Sequence, residues 1–225
     1  MKNMLLFLIF MLCCFSCASQ RKEVITKSAI KLEGKKTKIR DLLGIDGYFS
    51  FTDEGNLVID NNNGNLIFFE DGSYVWQFRF KDSVTLNNIK NNIAQCIFTW
   101  NEDDQIRWGN YWGVYEIRND TIITNFFIKG TLLGRSWSLT EERYKIINRN
   151  TIRKIYIKGL LKADESYYSN KSPWINGEKQ IFTPVDPLPS SDNWLKEEKW
   201  IWRNESDWKA YMERIKAEKQ KNKKK

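Results

Sequence analysis

Tyr115-Glu116-Ile117-Arg118-Asn119-Asp120-Thr121-Ile122 is the stretch that decides the fold: a strand, a polar pair, and a returning strand. Asn119 and Asp120 both tolerate the positive φ of tight hairpin turns, so a two-residue turn there pairs Arg118 with Thr121. That register predicts Tyr111, Gly113, Tyr115, Ile117, Ile122, Thr124, Phe126 and Ile128 on one face. The other face carries Trp112, Val114, Glu116, Arg118, Thr121, Ile123, Asn125, Phe127 and Lys129. Side chains alternate across a strand, so one apolar and one mixed face are what a half-buried antiparallel sheet needs.

The same pattern is written a second time. Tyr144-Lys145-Ile146-Ile147 leads to a turn at Asn148-Arg149-Asn150 and returns through Thr151-Ile152 to Tyr156-Ile157-Lys158-Gly159, matching Phe127-Ile128-Lys129-Gly130 in the first copy. Lys154 breaks the alternation by falling on the face of Ile146 and Ile152, and a β-bulge there is expected to repair it.

Outward from this pair, Asp71-Gly72 joins Leu66 to Glu70 with Ser73 to Phe80 in a further hairpin. A two-residue turn predicts Ile67, Phe69, Tyr74, Trp76, Phe78 and Phe80 on one face, with Phe68, Glu70, Ser73, Val75, Gln77 and Arg79 opposite. Ile45 to Phe51 reads as a first strand with Gly47, Phe49 and Phe51 in phase. Leu57 to Ile59 and Gln95 to Trp100 are further strands, and Glu102-Asp103-Asp104 turns the chain towards Trp108. The run Asp60 to Asn65 resembles a calcium loop only superficially, because Gly64 comes one place early and Asp71 stands where a bidentate glutamate belongs. It reads as a turn.

Seven to nine antiparallel strands between about 45 and 157 predict an all-β fold: a meander closing into a barrel or a strongly curved sheet, followed by a short C-terminal helical segment. Ten Trp, nine Tyr and thirteen Phe make the faces unusually aromatic. Phe69, Tyr74, Trp76, Phe78, Tyr111, Tyr115 and Phe126 are the expected inner-face residues toward a ligand. No buried charge is evident in the pattern, so a small apolar or aromatic ligand is expected.

The DG hairpin, the stretch from Trp112 to Ile122 and that from Tyr144 to Ile152 resemble the lipocalin-like lipoproteins of Gram-negative bacteria over about half the chain. Phe182 to Trp202, a proline-bearing stretch followed by tryptophans among lysines, is similar to their C-terminal segment. The resemblance implies a lipocalin-like (calycin-type) barrel at 45–159.

The start of the chain agrees with export. Residues 1–16 hold Lys2, an apolar run from Met4 to Phe15, and Ser16; that run is too short to span a bilayer and reads as a signal peptide. Ser16-Cys17 resembles the bacterial lipobox, with Cys14 where that motif usually has leucine, and this implies lipidation at Cys17. Residues 17–44 then form a basic, solvated tether. Cys96 is left as a lone buried thiol. Residues 160–205 read as an extended Pro- and Trp-containing segment packing on the barrel, in which Asp192-Asn193 caps a short helix. Residues 206–225 read as an amphipathic helix, capped by Ser206 and carrying Trp208, Tyr211, Met212 and Ile215, with a lysine tail.

The net charge of +8 is concentrated at the flanks. Residues 21–40 hold eight basic residues against two acidic ones, and 216–225 hold six lysines against Glu218, which leaves 41–215 net negative. No nucleic-acid groove is therefore expected. The chain has no histidine, and hence neither the usual general base nor the commonest zinc ligand. No enzymatic activity, metal or cofactor is expected. The sequence points to a lipid-anchored envelope protein, in the outer membrane, that binds a small ligand. The alternative is an accessory subunit of an envelope complex, with a fully packed barrel.

Overall fold

The computed structural model describes residues 21–53, 56–57, 65–78, 111–129, 137–161, 179–184, 188 and 190–222. Nine antiparallel strands form the sheet: β1 (Gly47–Asp53), β2 (Asn56–Leu57), β3 (Asn65–Phe68), β4 (Ser73–Phe78), β5 (Tyr111–Arg118), β6 (Thr121–Lys129), β7 (Trp137–Asn148), β8 (Thr151–Leu161) and β9 (Lys179–Pro184). From β3 to β9 each strand pairs with its successor, β3 also pairs with β1, and β9 returns to β1 through Gly47↔Pro184 to Phe51↔Gln180. Eight strands thereby close into a barrel, with β2 appended to β1 by Thr52↔Leu57 and Asp53↔Asn56. Closure removes the open edges that an unpaired meander would expose.

The central hairpin has the expected register, with Arg118 opposite Thr121 and Asn119 at a φ of 56°. The two faces of β5 and β6 separate as anticipated. Tyr115, Ile117, Ile122 and Phe126 join a core inside the barrel, while Trp112, Val114, Ile123 and Phe127 join one outside it.

The DG hairpin departs from expectation by one residue. Phe68 pairs with Tyr74, Ile67 with Val75 and Leu66 with Trp76, because Phe69 belongs to the turn and receives the Gly72 N–H at 3.2 Å. A one-place slip reverses a strand's faces. Leu66 and Phe68 therefore point inward, and Ile67 and Phe69 outward.

Strand β9 was missed in the sequence, where 160–205 reads as a segment lying on the barrel. Its pattern Lys-Gln-Ile-Phe-Thr-Pro has a polar residue in each inward and outward set, so alternation alone does not reveal it. It closes the barrel rather than covering it.

The outer core is covered by both ends of the chain. Residues 21–26 form a helical turn, α1, that buries Val24 and Ile25; Ile30 and Leu32 follow, and Leu32 forms a bridge with Trp202. A second helix, α2 (Ile39–Leu42), enters the barrel end. The expected solvated tether is thus packed structure from residue 21 onward, since its apolar residues meet partners distant in sequence. At the other terminus, α3 (Trp194–Glu197) is capped by Asn193 Oδ1, which accepts the N–H groups of Leu195 and Lys196. A 3-10 turn (Lys199–Ile201) leads to α4 (Glu205–Asn222), where Tyr211 and Ile215 are buried. Helix α4 starts before Ser206, which lies in its first turn rather than at its cap. Trp194 meets Trp137 of the barrel wall at a ring separation of 5.3 Å.

Candidate functional site

One end of the barrel is closed by α2. Ile39 and Leu43 are fully buried beneath the β3–β4, β5–β6 and β7–β8 turns. The plug is fastened by backbone bonds: Thr37 N–H donates to Glu70 O at 2.6 Å, and Gly44 N–H to Arg149 O at 2.9 Å. Tyr115 OH donates to Phe69 O at 2.7 Å, which leaves its oxygen to accept from Thr37 Oγ1 at 2.8 Å. Arg40 bonds both Asp46 and Glu70 outside.

Above the plug the interior is aromatic. Trp76 stacks on Phe126 at 4.8 Å between ring centres, Phe68 stacks on Tyr74 at 5.6 Å, and Phe68 meets Tyr115 edge-on at 5.3 Å. Gly113, between Trp112 and Val114, makes room for this packing, because a Cβ there would overlap the Tyr74 ring and the Asn125 carbonyl. Such ring pairs contribute about 0.5–1.5 kcal/mol each beyond their burial.

A polar cluster sits among these rings. Lys154 is only 4% exposed and Glu142 is 0% exposed; Lys154 Nζ donates to Glu142 Oε1 at 2.6 Å, and Tyr144 OH donates to Oε2. The Lys154 ammonium also lies 5.6 Å from the centre of the Tyr144 ring and 5.9 Å from that of Trp76. Thr124 Oγ1 donates to the Glu142 carbonyl at 3.1 Å. Burial, reinforced by the Glu142 charge, pushes the Tyr74 and Tyr144 hydroxyls well above the ordinary tyrosine range.

The bulge explains how Lys154 came to be inside. Tyr144 pairs with Lys154 but Arg143 pairs with Tyr156, so Ile155 is the extra residue. The expected bulge exists, but one position after Lys154, which keeps its inward phase. Ile155, and Ile147 at another irregularity near the hairpin turn, are turned to solvent instead, at 44% and 46% exposed.

Gln180 is a further polar residue on the inner face. It stands opposite Ile152, an inner-core residue, and is 0% exposed, yet neither Oε1 nor Nε2 has a hydrogen-bond partner among the described residues. Thr140, opposite inward-facing Phe126, is likewise 0% exposed, with an Oγ1 that has no partner among the described residues. Buried polar side chains nearly always have partners, and an orphan costs about 1–3 kcal/mol.

Of the expected inner-face residues, Tyr74, Trp76, Tyr115 and Phe126 are brought together inside. Phe69 is not: it stacks on Trp112 at 5.7 Å in the outer core, as the register of its hairpin requires. Phe78 and Tyr111 are placed by backbone pairing, opposite Asn65 and Trp76, while their side chains lie outside the described residues, as do Cys17, Cys96, the calcium-like run up to Gly64, and the strand expected at 95–100. The expectation of an uncharged interior is corrected by Lys154 and Glu142. Their signal was the inward phase of Lys154 and the shared parity of Thr140, Glu142 and Tyr144; Gln180 gave none while β9 was unrecognised.

No family model, curated protein or solved structure matches the chain. The fold stands on its own geometry: an eight-stranded antiparallel barrel with a plugged end and a C-terminal helix.

Proposed function

We propose that this barrel is a small-molecule binding module, held at the bacterial outer membrane by lipid on Cys17. The observation that carries the reading is Gln180, a fully buried amide facing the barrel interior with both of its polar atoms unpartnered among the described residues. The Lys154–Glu142 pair brings no net charge to the cluster. The ligand class that fits is therefore neutral, aromatic or apolar over most of its surface, and bears one group that both donates and accepts hydrogen bonds, such as a carboxamide or lactam. The anchor is supported by Ser16-Cys17 following the short apolar run, and the lipocalin-like assignment by the barrel topology.

Docking as an accessory subunit has less support. Among the described residues, the large apolar side chains exposed are Leu42, Ile147 and Ile155, and the last two are accounted for by strand irregularities.

Native mass spectrometry of the mature protein purified from a bacterial envelope tests the proposal. The expected result is a reproducible small-molecule mass, released on denaturation and absent from Gln180→Met. A bare wild-type mass, together with no thermal shift on incubation with an extract of envelope small molecules, would overturn it.

A further inference from the structure

The covering layer on the barrel exterior ends in a cluster of aromatic and basic groups. Lys22 Nζ lies 5.1 Å from the centre of the Trp200 ring and Lys199 Nζ lies 4.8 Å from it. Both lysines are exposed and Trp200 is half-buried. A third cation holds the tryptophan's backbone, with Lys31 Nζ donating to Trp200 O at 2.9 Å. Lys22, Lys199 and Trp200, with Trp202, Arg203 and Glu205, line a shallow groove of about 340 Å³. Glu205 is met by Lys209 at 3.0 Å and is also drawn by the Lys199 charge, but it stands as one acid in the groove against Lys22, Lys199 and Arg203.

The position of this cluster along the chain restricts what it can face. Four Cα–Cα steps separate Cys17 from Arg21, at most about 15 Å of chain. Arg21 is held in place by an ion pair with Glu198 and by the Trp194 ring 5.3 Å away, and Lys22 is the next residue. A lipid on Cys17 therefore brings α1 and the Trp200 groove within one short span of the bilayer surface. Tryptophan flanked by basic side chains suits that depth, where an indole keeps its apolar body near acyl chains and lysines reach lipid phosphates.

We infer that the face formed by Lys22, Lys199 and Trp200 rests on the anionic headgroup layer of the membrane that anchors the chain, fixing the orientation of the barrel above it. This rests on the lipidation reading, not on the ligand reading. The partner is a lipid surface, as both the tether length and the charge of the face require.

The test uses the full mature protein in vesicles of phosphatidylethanolamine and phosphatidylglycerol containing a phosphatidylcholine brominated near the headgroup. Wild-type tryptophan emission should be quenched relative to vesicles without bromine. Trp200→Phe should lose most of that quenching, and Lys22→Glu/Lys199→Glu should lose it too, while unbrominated vesicles report unchanged folding. Quenching that persists undiminished in Trp200→Phe, or none in the wild type, overturns the inference. The mass of the N-terminal peptide separately reports acylation of Cys17. If it lacks acyl chains, the anchor fails on that measurement alone, and the quenching still decides the face: its presence supports the contact, and its absence refutes it.

Discussion

The two hydrophobic layers of this barrel are built from alternate residues of the same strands, yet they are finished differently. The outer layer, from Ile67 and Phe69 through Trp112 and Phe127 to Trp137, is covered by α1, by Ile30 and Leu32, and by Trp194, Leu195 and Ile201. Its chief buried polar contact is well satisfied: Lys196 Nζ, in the layer's margin, meets Asp71 Oδ2 at 2.5 Å and Ser191 Oγ at 2.8 Å. The inner layer contains a buried ion pair, a buried tyrosine on it, and a glutamine and threonine whose side-chain polar atoms have no partner among the described residues. The outer layer is not free of orphan groups, since Trp137 Nε1 and Ser50 Oγ are also without partners among the described residues; the inner layer differs in holding a fully buried ion pair and an amide with both polar atoms unpartnered. That difference is why the proposed binding site is placed inside.

The sharpest way to break the comparison is to remove one half of the inner ion pair. Lys154→Met strands Glu142 in the barrel and should cost about 3–5 kcal/mol in urea unfolding, while Lys154→Met/Glu142→Leu should recover most of that loss. A near-neutral single variant would mean that the pair is wet, and the inner layer would lose its distinction. On the outer side, Leu195→Ala should cost about 2–5 kcal/mol by leaving a cavity under α3. It should leave the small-molecule mass unchanged; loss of that mass from a folded Leu195→Ala protein would show that the layers are not independent.

A smaller effect separates the layers by pH. Tyr74 and Tyr144 keep their protons in the fold well beyond the range in which an unfolded tyrosine loses them. Their contribution is therefore fully present below about pH 10 and is lost as pH rises above it, by about 1.4 kcal/mol per tyrosine per pH unit. Tyr144→Phe should flatten that slope in alkaline unfolding curves. The outer layer responds at the other extreme. Burial alone would raise the Asp71 carboxyl, but the Lys196 charge and the bonds from Lys196, Ser191 and Ser73 outweigh it and hold the carboxyl below its ordinary range. The stability contributed by Asp71 is present above about pH 4 and is lost as pH falls through its lowered value.

How much of this was legible in the sequence depends on which force set each element. The hairpin at Asn119-Asp120 was readable because turn chemistry and alternation agree there. The DG hairpin was recognisable as a hairpin but misread in register, since Leu66-Ile67-Phe68-Phe69 is apolar on both faces and alternation cannot fix its phase. That single ambiguity sent Phe69 to the wrong side. The packing of residues 21–43 was invisible because its partners, Ile201, Trp202 and the barrel end, lie far along the chain. The inner ion pair was half legible: Lys154 was visibly out of pattern, but whether a bulge lies before or after it is a tertiary matter. Gln180 became a candidate only once β9 was seen to close the barrel.

The most direct test of the account is the unfolding free energy of Gln180→Met against the wild type, both stripped of small molecules by denaturation and refolding. Methionine nearly reproduces the shape of glutamine without its amide. If Gln180 is a buried amide kept for a ligand, the variant will be more stable than the wild type, by about 1–3 kcal/mol, while losing the ligand. If the variant is instead less stable by a similar amount, Gln180 is already satisfied within the fold, and the assignment of the barrel interior as a binding site is contradicted.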